Sequence, residues 1–218
     1  MAALETALEP CGHDVAGMAR RDAAPSNAAP LRLAYVSASP LVYTRANGSE
    51  VAVPAIDEQA ELSLLREALD RAGKHVRLVA EVASAQRIRR LCTLGCDVLH
   101  YSGHGVRDGL ALENDLRWAE VHVVGSERLA RLMAAGGKMR TKLAFVSACH
   151  SEPSGRAFAD AGVAHVVCVR QEARVSDAAS RTFARQFYFA LLVGKSVREA
   201  FEIGVEAASV EQPASAAC

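Results

Sequence analysis

The chain has no excess of charge of either sign and no long apolar run, and each absence excludes a class of function. Its 218 residues carry 25 Lys and Arg against 25 Asp and Glu, with a pI near 7.0. No basic surface for nucleic acid is therefore expected. No apolar stretch approaches the roughly 18–20 residues of a membrane span, so neither an integral membrane protein nor a membrane partner is expected. The six cysteines (Cys11, Cys92, Cys96, Cys149, Cys168 and Cys218) are too few for a disulfide scaffold. Four of them fall within helix or strand patterns, as buried reduced thiols do. No Walker loop and no Gly-x-Gly-x-x-Gly follows any strand, so nucleotide binding has no motif behind it and no cofactor is expected. Met1–Pro30 carries Glu5, Glu9 and Asp14 and lacks a continuous apolar core. That fits neither a secretory signal nor a typical transit peptide, and a reducing, cytoplasmic setting is the default expectation.

What is present is a chain half apolar, long enough for one domain with a sizeable core. Residues 1–30 read as a leader or linker remnant and 210–218 as a flexible tail, leaving 31–209 as the domain. Strands are expected at Leu31–Ser37, Val76–Val82, Asp97–Ser102, Lys142–Ser147 and Val163–Val169, with a small extra one at Gly109–Glu113. Helices are expected at Asp57–Ala72, Ala85–Leu94, Ser126–Ala135 (capped by Ser126), Ser154–Ala161, Asp177–Val193 and Ser196–Ala208. Residues 41–55, broken by Asn47-Gly48 and Pro54, read as a loop. Strands alternating with helices imply an α/β fold with a mostly parallel sheet between two helical layers. Runs such as Leu-Ala-Phe-Val at 143–146 are apolar on both faces, as central parallel strands are.

Ligands of such sheets bind beyond the carboxyl ends of the strands. One strand there delivers His104 between two glycines, and another delivers Cys149 after Val-Ser-Ala. If these strands are neighbours, an imidazole and a thiol meet at one rim as general acid/base and nucleophile. The backbone N–H groups of Gly105 and Cys149 are the candidate oxyanion hole. A helix starting soon after Cys149 favours the thiolate, although Ser151–Ser154 reads as an intervening loop.

The segment Asp97–Gly105, with Leu143–Ser151 after it, resembles the CHAT domain, a member of the caspase–separase group of cysteine peptidases. Ala161–Val167, Val175–Ala178, Phe187-Tyr188 and Gly194–Val197 fit the family's later portion, and the resemblance covers about residues 31–205. It implies a caspase-like three-layer sandwich and a His–Cys dyad at His104 and Cys149. The two stand 45 positions apart, against about 50 between the caspase histidine and cysteine. The sequence Ser-Ala-Cys-His-Ser departs from the caspase signature, so cleavage after Asp is not implied. The resemblance to separase at Val175–Asp177 makes Asp177 the candidate for receiving a substrate Arg or Lys. Capping of the long helix by Asp177 or Ser176 stands as an equal reading.

The implied function is a cysteine endopeptidase acting on a protein or peptide. The main rival is a non-catalytic caspase-like interaction module, and a flavodoxin-like ligand-binding domain shares the βα alternation but leaves the paired motifs unexplained. CHAT domains often sit beside helical repeats or an NTPase module, so a regulatory module in trans, or a chain that is part of a longer protein, is also an expectation. His100, on the strand face of Ser102, reads as a packed histidine, and His150 as facing the other side and lining the cleft. Cys92, Cys96, His100 and His104 recur every four residues as zinc ligands on one helix would. Gly95 and the strand pattern break that helix, and no metal is expected. Phe183 and Phe187 read as core, and Arg181 and Arg185 as a solvated stripe.

Overall fold

The computed structural model describes residues 8–10, 30–135, 137, 139–170 and 175–211. Cys11, Cys218, Gly136 and most of the leader and tail lie outside them. In chain order the elements begin with β1 (Leu8–Pro10), β2 (Leu31–Ser37), β3 (Val42–Thr44), β4 (Glu50–Ala52), α1 (Glu58–Ala72) and β5 (Val76–Val82). There follow α2 (Ala85–Leu94), β6 (Val98–Ser102), β7 (Gly105–Val106), β8 (Gly109–Glu113), β9 (Val121–Gly125) and α3 (Ser126–Ala134). The last are β10 (Leu143–Ser147), α4 (Glu152–Asp160), β11 (His165–Val169), α5 (Asp177–Leu192) and α6 (Val197–Glu211).

The main sheet has the strand order β1-β11-β10-β6-β2-β5. All its pairs are parallel except β1 with β11, so a short antiparallel strand from the leader region closes one edge. Because side chains alternate across a strand, paired positions form rows on each face. Tyr35, His100, Phe145 and Val167 are one row, and Ala34, Leu99, Ala144 and Val166 are the row on the opposite face. The first row packs on Leu62, Leu65 and Leu69 of α1 and on Phe183, Phe187 and Tyr188 of α5. The second packs on Ile88 and Leu91 of α2, Leu129 and Met133 of α3, and Phe158 of α4. Two cores, one on each face, therefore hold the sheet rigid. Truncating a residue such as Phe187, fully buried in the first, costs about 3–5 kcal/mol.

Local chemistry sets the helix ends. Asp57 Oδ1 accepts from the Ala60 N–H at 3.0 Å, and Gly73 closes α1 in the left-handed conformation. The structure corrects several sequence expectations. Residues 41–55 are not a plain loop, since β3 and β4 pair antiparallel around Asn47-Gly48. The Asn-Gly turn signal outweighs the polar composition there. That hairpin is tied down by the Leu41 and Val42 N–H groups, which donate to the Ala119 carbonyl at 2.8 and 3.0 Å. The extra strand at Gly109–Glu113 is the centre of a three-stranded antiparallel unit with β7 and β9. Ser126 is not a cap: Gly125 holds that position, and Ser126 Oγ instead donates to Asp108 Oδ1 at 2.5 Å. α4 starts at Glu152, so only His150 and Ser151 separate it from Cys149. Among the described residues no helix is long and apolar enough to cross a membrane.

Candidate active site

The strands β6 and β10 are parallel neighbours, and their last paired residues are Ser102 and Ser147. His104 and Cys149 each stand two positions beyond that pair. The Gly103 N–H donates to the Ser147 carbonyl at 3.1 Å, carrying the registered contact past the strand ends. Both side chains emerge at the same carboxyl rim and line one cleft of about 280 Å³. Glu61, Ser102, Ser180, Asp177 and Arg181 line it as well.

The turn that presents His104 is held from inside. The Tyr101 hydroxyl donates within reach of two carbonyls, Ala111 O at 2.8 Å and His104 O at 3.2 Å. A Cβ on Gly103 would overlap that hydroxyl, and a Cβ on Gly105 would overlap the Cys149 carbonyl oxygen. Only glycine lets the two rims approach this closely. His104 Nε2 lies 2.7 Å from the carbonyl oxygen of Pro54, which also lines the cleft. A carbonyl only accepts, so Nε2 carries the proton and, in the neutral ring, Nδ1 is the free base. Sequence reasoning missed this partner, because a backbone carbonyl on a distant loop has no residue signature.

The candidate oxyanion donors are oriented as follows. The Ala111 N–H donates to His104 O at 3.0 Å, which makes Gly105 and Leu110 a non-hydrogen-bonded pair of the β7–β8 ladder. The Gly105 N–H therefore points away from β8. Among the described residues the Cys149 N–H has no acceptor. His150, next in the chain, has φ 56°, a left-handed conformation uncommon for a residue with a side chain. It is half-buried and does not line the cleft.

Beneath the dyad lies a polar group that the sequence disclosed only in part. His100 is fully buried on β6, stacked on Phe145 with ring centroids 4.6 Å apart. Its Nδ1 is 3.0 Å from the Tyr188 hydroxyl and its Nε2 is 3.2 Å from Glu61 Oε1. The Ser102 hydroxyl donates to Glu61 Oε2. Burial opposes ionisation of Glu61, but the bond and charge of His100 and the hydroxyls of Ser102 and Ser147 outweigh it and hold the carboxyl below its usual range. Glu61 was missed because its helical position reads as an ordinary first-turn acid.

The cap of α5 is Ser176, whose hydroxyl accepts from the Ala179 N–H at 3.3 Å. Asp177 is the first residue of the helix proper, exposed at the cleft rim, with Arg181 one turn further on. The four residues spaced like zinc ligands are dispersed. Cys96 Sγ is 3.5 Å from Thr141 Oγ1 and His100 faces Glu61, while His104 faces Pro54. Among the described residues no group of three His, Cys, Asp or Glu is placed to hold a metal ion.

A family model described as the CHAT domain matches residues 15–203. The chain belongs to the CHAT-domain family. The match to this CHAT domain reaches back into the stretch read as leader and ends within α6. No curated protein matches the chain. Among solved structures, the Arg-specific cysteine proteinase gingipain R (RgpB) is similar to it with a TM-score of 0.52 at 13% identity. That alignment covers 84% of this chain and 43% of the gingipain chain. A complex of the Porphyromonas gingivalis RgpB pro- and mature domains aligns at TM-score 0.46 and 13% identity, over 82% and 45% of the two chains. The pyridoxal kinase from Staphylococcus aureus aligns at 0.32 and 11%, over 82% and 86%. Those last two likenesses are too loose to bear on the fold. The first shows the CHAT domain to be a caspase-like α/β sandwich, the fold of a family of cysteine peptidases.

Proposed function

We propose that this CHAT domain is a cysteine endopeptidase with Cys149 as nucleophile and His104 as general acid and base. The supporting observation is the register of β6 and β10, which sets both residues two positions past one serine pair at one cleft. His104 Nδ1 takes the thiol proton, and Cys149 Sγ attacks the carbonyl carbon of the scissile peptide. The tetrahedral oxyanion is met by the N–H groups of Gly105 and Cys149. The intermediate collapses as Nδ1–H protonates the leaving amine, giving a thioester. Water, deprotonated by His104, then hydrolyses that thioester and restores the thiol. The Pro54 carbonyl keeps the ring in the productive tautomer and stabilises the imidazolium that forms. The N-terminus of α4, beginning at Glu152, adds partial positive charge near the thiolate.

Among the described residues, Asp57, Glu61 and Asp177 line the cleft against Arg181 as the one Arg or Lys, an acidic balance that suits a substrate Arg or Lys before the scissile bond. Screening a positional peptide library with wild type and Cys149→Ala tests the reading. Cleavage after basic residues that vanishes in the variant supports it, and identical cleavage patterns reject it. The interaction-module reading has an observation of its own. Leu116 and Trp118, on the loop between β8 and β9, are 92% and 98% exposed, an apolar projection suited to a partner surface. Cellular function unchanged by Cys149→Ala would favour that reading.

A further inference from the structure

The main sheet ends differently at its two edges. At one, β1 runs antiparallel to β11 and closes the ladder. At the other, β5 pairs with β2, and among the described residues no strand lies beyond it. β5 is seven residues long, with no proline and no bulge in its register against β2. Sheet edges are normally blunted by such devices, and a long unbroken edge is a template for another strand.

The ladder shows which groups β5 offers. In a parallel pair, alternate residues turn both their N–H and their C=O to the same neighbour. The Ala83 N–H donates to the Ser37 carbonyl at 2.6 Å, so Arg77, Val79 and Glu81 face β2. Val76, Leu78, Ala80 and Val82 therefore turn theirs outward. An antiparallel strand can take these bonds only in a register that sets outward residues opposite one another.

The side chains choose among such registers. Arg77 is exposed and, among the described residues, makes no ion pair. Glu81 lies four positions on, on the same strand face. It is held by Arg90 of α2, but its Oε2 has no hydrogen-bond donor and lies 3.7 Å from Arg87. A second β5 laid antiparallel and centred on Val79 puts Arg77 of each copy directly across from Glu81 of the other. Centring on Leu78 or Ala80 instead sets Arg77 across from Val79 or Ala83, and both charge pairs are lost. On the opposite strand face the Val79 register joins Leu78 to Ala80 and Val76 to Val82. Val82 is 48% exposed in the single chain, and Val76 and Leu78 already pack on the core beneath α1 and α5.

The geometry points to a two-fold homodimer in which β5 pairs antiparallel with β5 of a second copy, joining the two main sheets into one. A patch that complements itself is what a two-fold interface requires. No residue of β5 lines the cleft, and antiparallel pairing turns the two carboxyl rims to opposite ends. The dimer is therefore independent of the peptidase reading.

Light scattering coupled to size-exclusion chromatography, over a dilution series of the full chain, tests this. Wild type is expected at twice the 23.1 kDa of one chain, falling towards that value on dilution. Ala80→Pro removes an outward N–H while leaving the bonds to β2, and edge strands accept proline at such positions. It should be monomeric with an unchanged far-UV circular dichroism spectrum. Arg77→Glu and Glu81→Arg each set like charges across the two-fold axis and should weaken association at least about tenfold. Mixed in equal amounts they restore opposite charges at both positions, and the dimer should return. Wild type that stays monomeric at every concentration overturns the inference, whatever other strand docks on this edge. A dimer that persists in Ala80→Pro overturns it, as does a mixture of the charge variants that stays monomeric. Should Ala80→Pro or Glu81→Arg lose its fold, Arg77→Glu decides, dissociation supporting the interface and persistence rejecting it.

Discussion

The imidazole Nε2 of His104 lies 2.7 Å from the carbonyl oxygen of Pro54, fifty positions earlier in the chain. This contact fixes both the ring's orientation and its tautomer. Long-range ¹⁵N–¹H spectra of the resting protein should show the neutral His104 ring protonated at Nε2 and bare at Nδ1. A ring protonated at Nδ1 instead would remove the base from the proposed mechanism.

Gly105 admits no side chain, because a Cβ there would overlap the Cys149 carbonyl. Gly105→Ala should therefore push β7 away from the nucleophile. Overpacking of this kind costs about 1–3 kcal/mol, so the melting temperature should fall by several degrees, about 2–4 °C per kcal/mol in a domain of this size. Peptide cleavage should fall far more than stability does. Differential scanning calorimetry beside a cleavage assay checks both, and wild-type values in each would contradict the close approach.

Stability should decline in two steps on acidification. His165 is held neutral by burial, so its folded pKa is below 6.5. The unfolded chain takes up that proton first, and stability is lost as pH falls below about 6.5. Glu61 has a folded pKa below 4.5. Its contribution is present above that value and is lost as pH falls through the folded pKa. Urea midpoints between pH 7 and pH 3 should show both declines, the lower one reduced in Glu61→Gln, where the lowered carboxyl of Asp97 still contributes. A midpoint that rises on acidification below pH 4.5 would contradict the sign assigned to Glu61.

Burial also separates the thiols. The Cys92 thiol is pushed up to about 11 by burial, with the neighbouring Cys96 adding to it, and Cys96 is raised as well. Brief alkylation at pH 8 should leave both intact in the native protein and modify them once urea is added. Peptide mapping by mass spectrometry reads this directly, and early modification of Cys92 would contradict it.

The alternation of apolar strands with helices was enough to place the parallel sheet, because strands apolar on both faces, such as β10 and β11, have few other solutions. The rim positions of His104 and Cys149 were legible for the same reason. What the sequence hid is tertiary. Glu61 meets His100 across 39 positions, and nothing in α1 distinguishes Glu61 from Glu58 until the helix docks on the sheet. Pro54 acts through its carbonyl, and the peptide unit is the same at every residue. The β3–β4 hairpin was overlooked although Asn47-Gly48 announces it, since its strands are only three residues long and bury no side chain fully. Ser176 and Asp177 both suit a cap by residue type, and only the bond from the Ala179 N–H separates them.

The central claim is that Cys149 is a nucleophile activated by His104. Its most direct test is to treat the wild-type protein, Cys149→Ala and His104→Ala with an acyloxymethyl ketone carrying arginine next to the reactive carbonyl, and to map the adduct by mass spectrometry. The account predicts a single thioether at Cys149, absent in Cys149→Ala and slowed at least about a hundredfold in His104→Ala. Labelling that spares Cys149, or proceeds equally fast without His104, would contradict it.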